Sequence, residues 1–259
     1  MRDGRLALTI VLTLVFAFLY VPIGVLVALS FNEGGLPTAW SGFSFKWYAA
    51  LAHNGAILQA ALNTLIVALA STAVATVLGT LLALGIEMRR RKSRGLEALI
   101  FAPMIIPDIV LAIALLSMFA MLDVTMGLHT IAASHVVFNL AFVAAVVRAR
   151  LKSFDWSMIE ASTDLGATGF TTFRRVTLPA IAGSVVAGAL IAFTLSVDEF
   201  IIAFFTAGAG RASITLPMQI YSMLRFGITP EINALATLVI AVSVVALTLS
   251  QRFNRGMVG

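Results

Sequence analysis

The chain has 259 residues, of which 60% are hydrophobic and 11% charged, with a formal net charge of +5. A mean hydropathy of +1.02 excludes an ordinary soluble domain, and the pI near 10.2 does not point to nucleic acid, because the cations gather at the ends of apolar runs. The lack of cysteine excludes a disulfide framework, a thiol nucleophile and a cysteine metal site.

Six apolar runs follow in chain order, at 6–31, 60–86, 96–122, 128–147, 179–205 and 232–249. Each is roughly 18 to 27 residues long, enough at about 1.5 Å per residue to cross a hydrocarbon core of about 30 Å. The pattern predicts an all-α integral membrane protein with six transmembrane helices in a single domain, 1–259. The first run is too long for a signal-peptide core and lacks a small-x-small cleavage site, so it is expected to be retained. Fourteen of the seventeen basic residues lie before the first run, in the second and fourth connections, or after the sixth run; Lys46, Arg211 and Arg225 lie on the alternate side. That asymmetry predicts both termini and the 148–178 loop in the cytoplasm.

The 148–178 loop is the longest polar interruption. Ser157-x-x-Glu160 reads as a capping box and Gly166 as the end of a short helix. A structured polar loop of this size is explained by a partner docking from the same side, or else by an interfacial amphipathic loop with no partner. No chemistry of the chain's own competes with a transport role. There is no Gly-x-x-x-x-Gly-Lys-Ser/Thr phosphate loop and no Gly-x-Ser-x-Gly elbow, and His53, His129 and His135 lack zinc-ligand spacing. His135, inside a span, reads as a packed or hydrogen-bonded residue. No metal, cofactor or catalytic residue is expected.

Three carboxylates fall inside apolar runs. Asp108 lies about twelve residues into the third run, next to Pro107 and one turn after Pro103, where the prolines are expected to bend or interrupt the helix. Asp198 and Glu199 lie near the far end of the fifth. No lysine or arginine lies within a run to pair with them, and a buried charge at mid-bilayer costs about 2.5–3.5 kcal/mol on insertion scales. Hydration at the outer interface, protonation or a partner subunit, and a path for a cationic solute all stand as explanations. Because adjacent helical residues point about 100° apart, one of Asp198 and Glu199 is expected to face such a path. Beyond them, Gly208 and Gly210 predict a turn. Leu216, Ile220, Met223 and Leu224 predict a short amphipathic helix, and Thr229-Pro230-Glu231 predicts the start of the last span. Trp47 and Tyr221 can face ammonium groups, worth about 0.5–2 kcal/mol each, or serve as ordinary interfacial aromatics.

Glu160-Ala161-Ser162, three residues, Gly166, nine residues, and then Val176-Thr177-Leu178-Pro179 resemble the signature loop of permease subunits of ATP-binding-cassette importers. Ser196-Val197-Asp198-Glu199-Phe200, Leu216-Pro217-Met218-Gln219-Ile220-Tyr221 and Gly227-Ile228-Thr229-Pro230-Glu231 narrow this further. So do Pro107-Asp108-Ile109 and Lys46-Trp47-Tyr48, and the whole chain resembles the second permease of the spermidine/putrescine family. The resemblance implies the type I importer permease fold, in a bacterial inner membrane. It implies a second related permease, two copies of an ATPase subunit, and a solute-binding protein outside. It also implies that Glu160, Ala161, Ser162, Asp164 and Gly166 couple to the ATPase, and that Asp108, Ser196, Asp198, Glu199, Trp47 and Tyr221 line the path. Two departures are visible: Glu199 where an aspartate is usual, and Ser162 in place of alanine. Another amine, an amino acid or an opine remain alternative solutes. An ion-coupled transporter using Asp108 or Asp198 is the alternative from another class, although no internal repeat supports it.

Overall fold

Apolar runs of this length satisfy their backbone groups internally as helices. The computed structural model describes residues 2–35, 39–88, 94–225, 227 and 229–255; the basic cluster at 89–92, Phe226 and Ile228 lie outside the described residues. In chain order the helices are α1 (Arg2–Leu29), α2 (Lys46–His53), α3 (Gly55–Met88), α4 (Arg94–Phe101), α5 (Asp108–Met121) and α6 (Leu128–Leu151). They continue as α7 (Ser157–Asp164), α8 (Gly169–Thr172), α9 (Leu178–Asp198), α10 (Ile201–Thr206), α11 (Leu216–Arg225) and α12 (Pro230–Arg255). Among the described residues, four helices are long and apolar enough to cross a membrane, or five if the bent pair α4 and α5 forms one span. The sixth expected run falls in α12, whose described apolar part, Pro230–Val244, is shorter.

Two of the predicted spans are interrupted. The third breaks at Ala102–Met104 and Pro107, and its two halves lie at 109° to each other. Pro103 and Pro107 account for this, since each removes a backbone donor and Pro107 takes ψ of 136°, outside the helical region. The fifth was expected to run unbroken over 179–205. Instead α9 ends at Asp198, Glu199 turns extended at ψ 121°, and α10 begins at Ile201. The hydropathy of the run gives no sign of this break, because the residues on both sides of it are apolar.

The contacts divide the chain into two units, one of Met1–Leu58 with Ile220–Gly259 and one of Gln59–Gln219. In the first, α12 packs against α1 and α2. Asn54 at the end of α2 donates to Glu231 in the first turn of α12 at 3.0 Å. Pro230 opens α12 as predicted, with Thr229 accepting from Ile232 and Asn233. None of the apolar window of α1 is buried within the chain.

The second unit is built around α6, packed chiefly against α9 and α10. Helix α3 shows the pattern of a helix in lipid: Ala60, Asn63, Ala68, Ser71, Ala75 and Ala83 are buried, while Leu58, Leu62, Leu65, Leu69 and Leu81 are exposed. Small and polar residues turn inward and large aliphatic ones outward because lipid solvates leucine as well as protein does, and close backbone approach supplies the attraction. Gly79 permits the closest crossing; a Cβ there would lie 2.8 Å from the Cβ of Val143 on α6. Where α6 meets the 148–178 loop, Arg148 binds Glu87 of α3 at 2.6 Å and Glu97 of α4 at 3.0 Å, joining three helices. Beyond α10, Gly208 and Gly210 take positive φ, as the turn requires. Asn63 anchors the segment that follows, donating to Ala212 and Ile214 at 2.9 Å each.

Candidate functional site: a broken helix and an exposed loop

Asp198 is the last residue of α9 and is exposed, whereas Glu199 is buried. The two carboxylates separate because α9 ends between them and Glu199 takes extended backbone. Glu199 meets partners that the sequence did not reveal. Its Oε1 accepts from the N–H of Ile202 at 2.8 Å and its Oε2 from the N–H of Ala203 at 2.9 Å. It thus caps α10, satisfying two of the donors that a helix start leaves open. The Nε2 of His135 lies 3.4 Å from the same Oε2.

Ser196, one turn before the break, is also buried. Its hydroxyl lies 2.7 Å from Nδ1 of His135 and 3.1 Å from the hydroxyl of Ser71. Serine and histidine from α3, α6 and α9 thus form a polar layer inside an apolar bundle, as the expectation of a hydrogen-bonded His135 requires. No local signal in the sequence could pair these residues, since Ser71 and Ser196 are 125 positions apart and His135 and Ser196 are 61 apart.

Asp108 is the first residue of α5, immediately after the bend, and is half-buried. The positive end of the α5 dipole lies at its carboxylate. Asp198 lies at the opposite kind of end, the C-terminus of α9, where the dipole is unfavourable to an anion. No basic side chain pairs with either among the described residues. Trp47 and Tyr221 belong to the other unit. Trp47 donates through Nε1 to the carbonyl of Asn32 at 2.8 Å and carries Lys46 over its ring at 4.7 Å. Tyr221 is exposed on α11.

The 148–178 loop contains the predicted short helix, α7, and Gly166 ends it. The N–H of Gly166 bonds Thr163 O at 2.9 Å and that of Ala167 bonds Ser162 O at 3.1 Å, with Gly166 at φ +84°. These two bonds and a left-handed glycine make a Schellman motif. The capping box at the other end does not form. Ser157 is the first helical residue, and its hydroxyl and N–H both donate to Asp155, at 2.7 and 3.0 Å. The Ser157 hydroxyl donates to the carboxylate two residues back, a charge-assisted bond that holds its side chain on that residue's side. The Ser157 hydroxyl, followed by the Ser157 N–H, holds the Asp155 carboxyl below the usual carboxylate range.

Glu160, Ala161, Asp164 and Gly166 are all exposed, beside Leu165 at 89% and Phe170 at 72% exposure. Ser162 points inward, with its hydroxyl 3.0 Å from that of Thr172 on α8. Ser162 therefore ties α7 to α8. The apolar side chains of Leu165 and Phe170 are the part of this surface that the sequence reading missed.

Apolar helices with a broken span, a second break that carries acids and a structured polar loop share the type I importer permease fold with chains of known structure. The chain superimposes with a TM-score of 0.80 on one from "a bacterial ABC transporter involved in the import of the acidic polysaccharide alginate", at 14% identity, covering 97% of this chain and 96% of that one. It matches a chain of the MetNI methionine ABC transporter in an inward-facing conformation with a TM-score of 0.62, at 21% identity over 75% and 93% of the two chains. Residues 75–258 match the binding-protein-dependent transport system inner membrane component family, and the chain belongs to that family. It is a membrane component of such a system and not its ATPase. It is 40% identical over 253 residues to the spermidine/putrescine transport system permease protein PotC of Escherichia coli (strain K12), covering 97% of this chain and 95% of that protein. It is 41% identical over 239 residues to the putrescine transport system permease protein PotI of the same strain, covering 89% and 84%.

Proposed function

We propose that this chain is the second permease subunit of an ATP-driven importer for a cationic small solute, a polyamine of the spermidine/putrescine class. The likeness to PotC and PotI over nearly the whole chain supports the solute class. The observation that carries the mechanism is Asp198, an exposed carboxylate at the negative end of a helix with no basic partner among the described residues. A solute bearing ammonium groups supplies the missing charge. Asp108 is the second path residue. Ser196 and Glu199 act from behind, by holding the break.

In this reading residues 1–259 work as one six-span domain with both termini in the cytoplasm, paired with a related permease so that the path lies between them. A solute-binding protein delivers cargo outside. Two ATPase subunits dock on the cytoplasmic loops, here through α7 with Glu160, Ala161, Asp164 and Gly166 exposed and Ser162 bracing the helix from within. Closure of the ATPase pair on ATP draws the loops together and opens the path outward; hydrolysis reverses it. The carboxylates bind weakly and in succession, since a solute held tightly would not move on.

The test is uptake of labelled spermidine and putrescine by the assembled complex, with Asp108→Asn and Asp198→Asn as variants that keep shape and delete charge. Loss of uptake with the complex intact is expected. Transport of another amine, an amino acid or an opine in place of polyamines would overturn the solute, and full uptake in both variants would overturn the path.

A further inference from the structure

The break between α9 and α10 is held from a third helix. On its α9 side Ser196 lies 2.7 Å from Nδ1 of His135, and on its α10 side Glu199 Oε2 lies 3.4 Å from Nε2 of the same ring. His135 is 1% exposed and sits on α6, the helix around which the second unit packs. One imidazole therefore approaches Ser196 and Glu199, on either side of Asp198 at the end of α9. We propose that His135 is a positioning residue for transport: by bridging Ser196 and Glu199 it fixes the geometry of the break that presents Asp198 to the solute. This rests on the reading of Asp198 as a path residue.

The proton arrangement follows from the acceptors. Both oxygens of Glu199 already accept backbone N–H groups, so the carboxylate offers no donor to the ring. The Nε2 atom facing it must carry the hydrogen for the approach to be attractive. In the neutral ring Nδ1 is then the acceptor, and the hydroxyl of Ser196 donates to it. Ser71 can donate in turn to Ser196 at 3.1 Å, which continues the chain into α3. Loss of the ring would leave Glu199 capping α10 but disconnect that cap from α6 and α9.

Two substitutions divide the bridge. The amide nitrogen of glutamine reaches about where Nε2 lies, and an asparagine side chain reaches only to about Nδ1. His135→Gln therefore keeps the link to Glu199, and His135→Asn loses it. The chain has no cysteine, so Asp198→Cys places a single thiol on it, and its reaction rate with a cationic methanethiosulfonate reagent reports how residue 198 is presented in the assembled complex without reference to transport. Relative to Asp198→Cys alone, adding His135→Asn is expected to change that rate by about tenfold, as loss of a close approach to a charged group implies, and adding His135→Gln, which gives up only the neutral bond to Ser196, by about threefold. With Asp198 intact, His135→Asn should lower the maximal uptake rate more than it raises the half-saturating solute concentration, and His135→Gln should restore it. Should His135→Asn not assemble, Ser196→Ala severs the other half of the bridge, and a change of about threefold or more is expected there. Unchanged labelling in these variants overturns the inference, and so do equal changes in the Asn and Gln variants, which would mean that the ring acts by packing alone. Normal labelling alongside impaired uptake in Asp198→Asn removes the positioning role and leaves the path reading standing. Full uptake in Asp198→Asn overturns both.

Discussion

Gly166 separates what the 148–178 loop needs for its own fold from what it needs for a partner. The residue sits at φ +84°, and a Cβ built there meets nothing within 4 Å in this chain. Substitution by alanine is therefore resisted only by the left-handed conformation, at about 1–2 kcal/mol. That is a factor of roughly 5 to 30 in the equilibrium between the closed Schellman turn and its open form. Asparagine tolerates the left-handed region and costs less, and valine, β-branched, costs more. Hydrogen exchange on the chain without its ATPase reads the effect directly through the amides of Gly166 and Ala167, whose bonds to Thr163 and Ser162 close the turn. Exchange should quicken about 5- to 30-fold in Gly166→Ala and stay near wild type in Gly166→Asn. In the assembled importer the ordering changes if a partner surface fills the open space: all three variants should then uncouple ATP hydrolysis from uptake, asparagine included. Unaltered exchange in Gly166→Ala would refute the conformational argument, and full coupling in Gly166→Val would refute the assignment of this face to the ATPase.

Gly79→Ala should destabilise the chain by about 1–3 kcal/mol, because the new Cβ would lie 2.8 Å from the Cβ of Val143 and 3.0 Å from the carbonyl of Leu140. Gly85→Ala on the same helix meets nothing within 4 Å and should stabilise by about 0.5–1 kcal/mol; thermal unfolding in detergent compares the two signs. Arg148→Ala leaves the half-buried carboxylate of Glu87 without its partner and should cost about 1–3 kcal/mol, with Arg148→Lys intermediate because one ammonium cannot reproduce both contacts of the guanidinium fork. The Asp155 carboxyl lies below its unfolded value, so its contribution to the start of α7 is present above the ordinary carboxylate pKa and is lost as pH falls through the depressed folded value. Protection of the Ser157 amide, taken against its intrinsic exchange rate at each pH, should therefore fall on acidification in the wild type, and Asp155→Ala should show the low protection already at neutral pH.

What was legible in the sequence was whatever depends on local chemistry. Apolar length marked the spans; the proline pair before Asp108 marked the 109° bend; Gly166 marked the end of α7; and Pro230 marked the start of α12. The errors came where two local rules compete or where partners are distant. Ser157-x-x-Glu160 satisfies the capping-box pattern, but Ser157 enters the helix as its first residue, and the Asp155 carboxylate takes the Ser157 N–H that the Glu160 side chain would accept in such a box. The break at Glu199 is hidden because hydropathy measures whether a residue prefers lipid and not whether its backbone is helical. A carboxylate three and four residues ahead of Ile202 and Ala203 in an otherwise apolar run was the available sign, since an anion there can cap a new helix. Behind the break, the Ser71, His135 and Ser196 cluster depends on how α3, α6 and α9 pack, which no single window contains.

The three carboxylates that seemed equally unpaired are not equivalent once the helix ends are known, and this ranks their dependence on solute. Asp108 opens α5 and Glu199 opens α10, so both lie where aligned peptide dipoles leave about half a positive charge, a stabilisation of about 0.3–1 kcal/mol for an exposed acid and up to about 2 kcal/mol in a partly buried site. Glu199 adds two backbone hydrogen bonds and the approach of His135. Asp198 closes α9 and meets the opposite end of a dipole, so the same term counts against it. An ammonium group arriving at the break therefore gains most at Asp198, least at Glu199, and an intermediate amount at Asp108. Asp198→Asn should reduce uptake of the cationic solute by about 5- to 30-fold, for a loss of about 1–2 kcal/mol, and Asp108→Asn by a smaller factor. Glu199→Gln keeps one carbonyl acceptor but not two, so it should act mainly by loosening α10, lowering the maximal rate with little change in the half-saturating concentration. Kinetics of uptake for the three variants, at matched complex levels, would give the order. If Asp108→Asn proved the more damaging of the two aspartates, dipole placement would not be what sets the solute's hold on this path.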